Sequence, residues 1–149
     1  MKRLKWFVLA VILIQLVPYG HSHENPPVVA EPQWDSPGTR ALFERACFDC
    51  HSNQTVWPWY SNVAPVSWLV QNDVDGGREH LNFSEWTRPP RHAKDVAAEV
   101  LHGDMPPGIY LPLHANAKLS DAEVKALVAG AEKALGPQAS GEEKSKLFQ

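Results

Sequence analysis

Towards the end of the chain, Leu119, Val124, Leu127, Val128, Ala131 and Leu135 recur at helical spacing and place one apolar stripe on a helix. Ser120-Asp121-Ala122-Glu123 is a capping box at its start, and Gly136-Pro137 stops it. A second helix is expected over residues 93–102, where Val96, Ala97, Val100 and Leu101 repeat with the same period and Gly103 sits at the C-terminal glycine position. A third starts at Asp35 or Ser36 with Pro37 in its first turn, and carries Leu42, Phe43 and Ala46 on one face into Cys47. Residues 65–71 hold one or two more turns, residues 73–78 with Gly76 and Gly77 read as a break, and the ambiguous stretch 81–86 gives way to Pro89-Pro90.

The start of the chain is patterned differently. Lys2, Arg3 and Lys5 precede an apolar run over residues 6–17, broken only by Gln15 and closed by Pro18-Tyr19-Gly20. That is the layout of an export signal, and the run is short for a spanning helix. Gly20-His21-Ser22 fits a small-x-small cleavage site. Residues 1–22 are therefore expected to be a signal peptide or membrane anchor, residues 23–33 an extended proline-rich linker, residues 34–136 the domain, and residues 137–149 a disordered tail. The basic end would stay in the cytoplasm and the remainder would be exported to the periplasmic side.

Thirteen prolines and nine glycines in 149 residues predict an all-α, loop-rich domain of short helices with a small core. The net charge is −3, and three of the fourteen basic residues lie in the first five positions, so no basic surface is left for nucleic acid. Six tryptophans suggest a large apolar body to pack against, although aromatic residues also fill ordinary cores.

Chemistry concentrates in Cys47-Phe48-Asp49-Cys50-His51, which uses both cysteines and follows them with a histidine. This is the spacing of covalent haem attachment: each thiol can take one vinyl group, and the next residue offers its imidazole to the iron. A thioredoxin-like dithiol would need a βαβ setting, yet Asn53, Pro58 and Pro65 follow closely. A structural zinc site needs four ligands, and no further cysteine exists. A disulfide here would close a very small ring, and neither it nor zinc accounts for His51. In an oxidising compartment, thiols consumed as thioethers also escape disulfide formation.

Met105 is the sole methionine besides the initiator, and Pro106-Pro107 stiffens the backbone beyond it. Methionine opposite histidine is the axial pair of low-spin electron-transfer cytochromes. The competing reading of Met105 is a core methionine; the competing ligands are His80, His92, His102 and His114, with His102 the main rival.

The order of elements resembles cytochrome c. More narrowly, Cys50-His51-Ser52-Asn53, Trp57-Pro58-Trp59-Tyr60-Ser61, Ala64-Pro65, Ser67-Trp68, Gly77-Arg78, Leu81-Asn82-Phe83-Ser84 and Met105-Pro106-Pro107 resemble the bacterial haem-binding domain family, as do Pro18-Tyr19-Gly20 and Asn25-Pro26-Pro27. The resemblance implies a monohaem c-type protein of three to five short helices, preceded by an N-terminal apolar helix and held at the outer face of the cytoplasmic membrane.

The expected mechanism is one-electron transfer. Cys47 and Cys50 form thioethers, His51 and Met105 ligate the iron, Trp57, Trp59, Tyr60, Trp68 and Trp86 wall the pocket, and Arg78 pairs with a propionate. A carbonyl near Pro58 or Pro65 is expected to orient His51. Redox partner proteins and the cytochrome c maturation machinery are the implied partners. The alternatives are a haem enzyme or gas sensor with a displaceable distal ligand, in which His102 or Asp104 does peroxidase-like acid–base work, and an apo interaction module.

Overall fold

A computed structural model describes residues 2–136, so the tail expectation for residues 137–149 lies outside the described residues. The architecture is all-α: α1 Lys2–Ile14, α2 Pro37–Ala46, α3 Phe48–His51, α4 Val66–His80, α5 Val96–His102 and α6 Asp121–Leu135, joined by loops and short 3-10 turns. The helices expected from the apolar periods form with their caps. Ser36 Oγ accepts the Thr39 amide at the start of α2. Gly103 takes the left-handed conformation after α5 at φ +78°, which a side chain would strain. The 93–102 expectation divides into a 3-10 turn at Arg91–Asp95 followed by α5.

The core is built around Phe43, Phe48, Phe83, Val96, Val100 and Leu127. It seals where α2 crosses α6, because Gly130 lets the helices meet there: a Cβ on it would lie 2.4 Å from the Thr39 side chain. Trp34 covers the cluster from outside, its ring 4.8 Å from Phe43 and 5.8 Å from Phe83. Its indole donates to Glu31, whose carboxylate is also gripped by Arg40 through two nitrogens at 2.8 Å.

The capping box of α6 carries an acid-sensitive contact. The Glu123 carboxylate accepts from the Ser120 amide at 2.8 Å and from Arg45 at 2.7 Å. The Ser120 backbone, then Arg45, hold it down to about 2 from an ordinary 4.5. Because the folded value is depressed, this contribution is present above pH 4.5 and is lost as pH falls from 4.5 towards 2. In acid unfolding titrations, Glu123→Gln is expected to lose that part of the pH dependence while lowering stability at neutral pH.

Two expectations are corrected. Residues 73–78 are not a break: α4 runs unbroken through Gly76 and Gly77. The segment expected as an extended proline-rich linker is extended, and residues 15–30 lie along the domain as a strap. Gln15 exchanges two hydrogen bonds with Ala64, Ser22 reaches Gln71, Asn25 donates to the Thr55 carbonyl, and the Val29 and Ala30 amides donate to the Ser84 carbonyl. Gly20, at φ +86°, is pressed to the backbone of Ser67 and Trp68, where a Cβ would meet atoms at 2.7 Å. Lastly, no helix among the described residues is long and apolar enough to cross a membrane, so the expected N-terminal anchor at the periplasmic face of the cytoplasmic membrane is overturned. The apolar N-terminal run does coil into α1, but at 13 residues it falls short of a span.

Candidate functional site

The helix that enters the cysteine motif stops at Ala46, and a separate single turn, α3, presents Cys50 and His51 against α4. The approach is close. A Cβ on Gly77 would stand 2.4 Å from the Cys50 carbonyl oxygen, so only glycine lets α4 pass at this point. The glycine pair that reads locally as a breaker is used for contact.

His51 is oriented by that approach. Its Nδ1 lies 3.0 Å from both the Gly77 and the Leu81 carbonyl oxygens. Carbonyls only accept, so Nδ1 carries the proton and Nε2 keeps its lone pair, the tautomer a metal ligand needs. The orienting carbonyls therefore come from the end of α4, not from near Pro58 or Pro65. The ring stands edge-on to Phe83, 6.4 Å between centroids. Burial lowers the His51 pKa, outweighing the two carbonyls, which keeps the imidazole neutral.

Both cysteines are free thiols. Burial first, then the neighbouring Cys50, pushes the Cys47 thiol up to about 12; burial first, then Asp73 and Asp49, pushes Cys50 up to about 11. A dithiol redox site does the opposite and depresses a thiol pKa to make a nucleophile. Nor do the described residues contain any group of three or more His, Cys, Asp or Glu arranged to hold a metal ion as a zinc cage would.

Met105 follows α5 on a loop whose amide is tied back to the Glu99 carbonyl at 3.2 Å. Its side chain is 36 % exposed, so it does not pack as a core methionine. Of the rival histidines, His114 has both nitrogens engaged, by the Tyr110 carbonyl and by Tyr60. His80 and His92 face each other on the surface, and His102 is exposed at the end of α5.

The aromatic residues expected to wall one pocket are dispersed. Trp59 and Tyr60 line a cavity of about 540 Å³ beside Asp49, together with Val56, Pro58, Val66, Leu113 and His114. Trp57 instead stacks on His23 of the strap at 4.5 Å, and Trp86 stacks on Phe83 in the core. The indole nitrogens of Trp57 and Trp68 are buried without an acceptor. Arg78 is committed elsewhere. It donates to the carbonyls of Ser52 and Glu24, to Asn25 and to Thr55, binding the strap to the segment after His51 rather than holding itself out for a propionate.

A family model described as a haem-binding domain matches residues 9–133. The chain belongs to the haem-binding domain family. No curated protein and no solved structure matches it. The matched segment of this haem-binding domain begins inside α1 and takes in the whole strap, well ahead of the start expected at residue 34. The residues present fit a haem: an oriented imidazole with a free Nε2, and two neutral thiols at the start and within the turn that carries it.

Sequence reasoning missed Trp34, Tyr110 and the strap. Tyr110 and His114, four residues apart just past Met105, carried a signal that could have been read, since residues so spaced share a face of any helical turn.

Proposed function

We propose that this haem-binding protein is a c-type cytochrome, holding one haem through thioethers to Cys47 and Cys50, with His51 and Met105 as axial ligands, and working as a one-electron carrier between redox proteins. The observation that carries this reading is the His51 ring, pinned at Nδ1 by Gly77 and Leu81 on the same turn that presents both thiols. When bound, the haem supplies a ferric/ferrous couple.

The chain's own groups do the rest. Each thiol adds across a vinyl double bond, forming one carbon–sulfur bond while its proton goes to the neighbouring carbon, so attachment needs no oxidant. Thiols held neutral by burial resist the competing disulfide. The carbonyls of Gly77 and Leu81 fix the imidazole and increase its donor strength. A peroxidase-like reading draws no support from His102 and Asp104, whose side chains are both exposed.

Expression with a cytochrome c maturation system should give a protein whose mass includes one haem and whose pyridine haemochrome is of the c type. Cys47→Ala with Cys50→Ala is expected to abolish covalent haem. Met105→Ala is expected to remove the red-end ferric thioether band and lower the reduction potential. A mass equal to the bare polypeptide after such expression would sink the proposal.

A further inference from the structure

Four side chains beside the cavity join the two stretches that carry the proposed ligands. Asp49 lies between the cysteines and Tyr60 in the loop after His51, whereas Tyr110 and His114 follow Met105. Tyr110 donates its hydroxyl to Asp49 Oδ2 at 2.5 Å. Tyr60 donates to His114 Nε2 at 3.0 Å. The direction of that second bond is settled by the other ring nitrogen: His114 Nδ1 must donate to the Tyr110 carbonyl at 2.9 Å, which leaves Nε2 as the acceptor. The Tyr110 and His114 rings lie flat on one another, 3.7 Å apart and 8° from parallel. The second Asp49 oxygen accepts the Val56 amide at 3.0 Å, which fixes the carboxylate.

Otherwise the methionine loop is loosely held. Ile109 is 74 % and Leu113 70 % exposed, so few apolar contacts restrain the stretch from Met105 to His114, whereas Ala117 and Leu119 beyond it pack on the domain. Beyond the Met105 amide's bond to Glu99, two hydrogen bonds tie this stretch to the attachment side, and the ring stack braces Tyr110 and His114 against each other. A phenol bonded to a carboxylate is among the stronger such contacts, because the acceptor is charged.

We propose that the Asp49–Tyr110 and Tyr60–His114 pairs form a latch that seats the Met105 loop against the haem-attachment segment, keeping Met105 on the iron and external ligands out. The proposal rests on the reading of Met105 as an axial ligand. These four are positioning residues, since they act through the loop.

The test uses the haem-loaded protein with Tyr60→Phe, Tyr110→Phe and the double variant. The readouts are the red-end thioether band of the ferric form, carbon monoxide binding by the ferrous form, and the denaturation midpoint. Phenylalanine keeps the ring and its packing and deletes only the hydroxyl. Each single variant should weaken the band and speed carbon monoxide binding: Tyr110→Phe by about tenfold, the scale of one lost hydrogen bond to a charged group, and Tyr60→Phe, whose acceptor is a neutral ring, by less. The double variant should do more, with the midpoint little changed. A double variant with unaltered band and carbon monoxide binding overturns the latch, as does faster binding that merely tracks a falling midpoint. Met105→Ala, run in parallel, separates the two claims. If it keeps the band, the axial assignment is what fails; if it loses the band while the tyrosine variants keep it, the latch alone fails.

Discussion

Gly77→Ala is expected to destabilise the fold and depress haem loading, while Gly76→Ala, one residue earlier in the same helix, is tolerated. The added methyl at Gly77 would meet the Cys50 carbonyl oxygen at 2.4 Å and its carbon at 2.9 Å. Those are backbone atoms and cannot rotate away, so α4 must withdraw. Overpacking of this kind costs about 1–3 kcal/mol. Withdrawal also carries off the Gly77 carbonyl that shares the His51 Nδ1 proton, so the effect reaches the proposed iron ligand. At Gly76 a methyl finds nothing within 4 Å, and alanine there should gain about 0.4–1 kcal/mol from reduced freedom of the unfolded chain. Guanidinium unfolding of the pair, with haem content measured alongside, reads the contrast. Equal midpoints would show that the close approach is not a constraint.

The second large effect belongs to Phe83. It is 1 % exposed and its ring is met by Phe43 at 5.2 Å, Phe48 at 5.7 Å, Trp34 at 5.8 Å and Trp86 at 5.7 Å, with the His51 ring edge-on beside it. Truncation to alanine removes the centre of this cluster and leaves a cavity walled by rigid rings that close in poorly. About 3–5 kcal/mol is the expected loss, a large share of the ~5–15 kcal/mol available to a domain. Phe83→Leu, which refills most of the space, should cost less than half of that. Denaturant midpoints at unchanged slope check both. A loss below about 1 kcal/mol for the alanine variant would mean that the cluster can repack around the gap.

What could be read from the sequence divides by the range of the forces involved. The Ser120 capping box, the Ser36 cap and the Gly103 stop are local hydrogen-bonding devices, and α6, α2 and α5 end where those residues put them. The cysteine and histidine spacing likewise says which atoms one turn can present. Gly76-Gly77 misleads because the reason for glycine at position 77 is the Cys50 backbone, distant in sequence and visible only once α3 and α4 meet. Arg78 misleads in the same way: a lone arginine near a haem motif suggests an anion partner, but four of its five hydrogens go to carbonyl and side-chain oxygens of segments that no local pattern places beside it. The tryptophans show the limit of composition. Trp34 and Trp86 pack on the core ring of Phe83, Trp57 on the strap and Trp59 on the cavity, although their number alone suggests a single wall.

The strap also sets an order of assembly. Gln15, Ser22, Asn25 and Ala30 precede their partners Ala64, Gln71, Thr55 and Ser84 by some thirty to fifty positions. Contacts so distant in sequence form late, after the local helices have coiled. The strap is therefore the late element, and the flank that Arg78 ties down closes after the thiols are on their turn. The turn that carries the cysteines and the strap that covers its flank are thus separate steps of assembly.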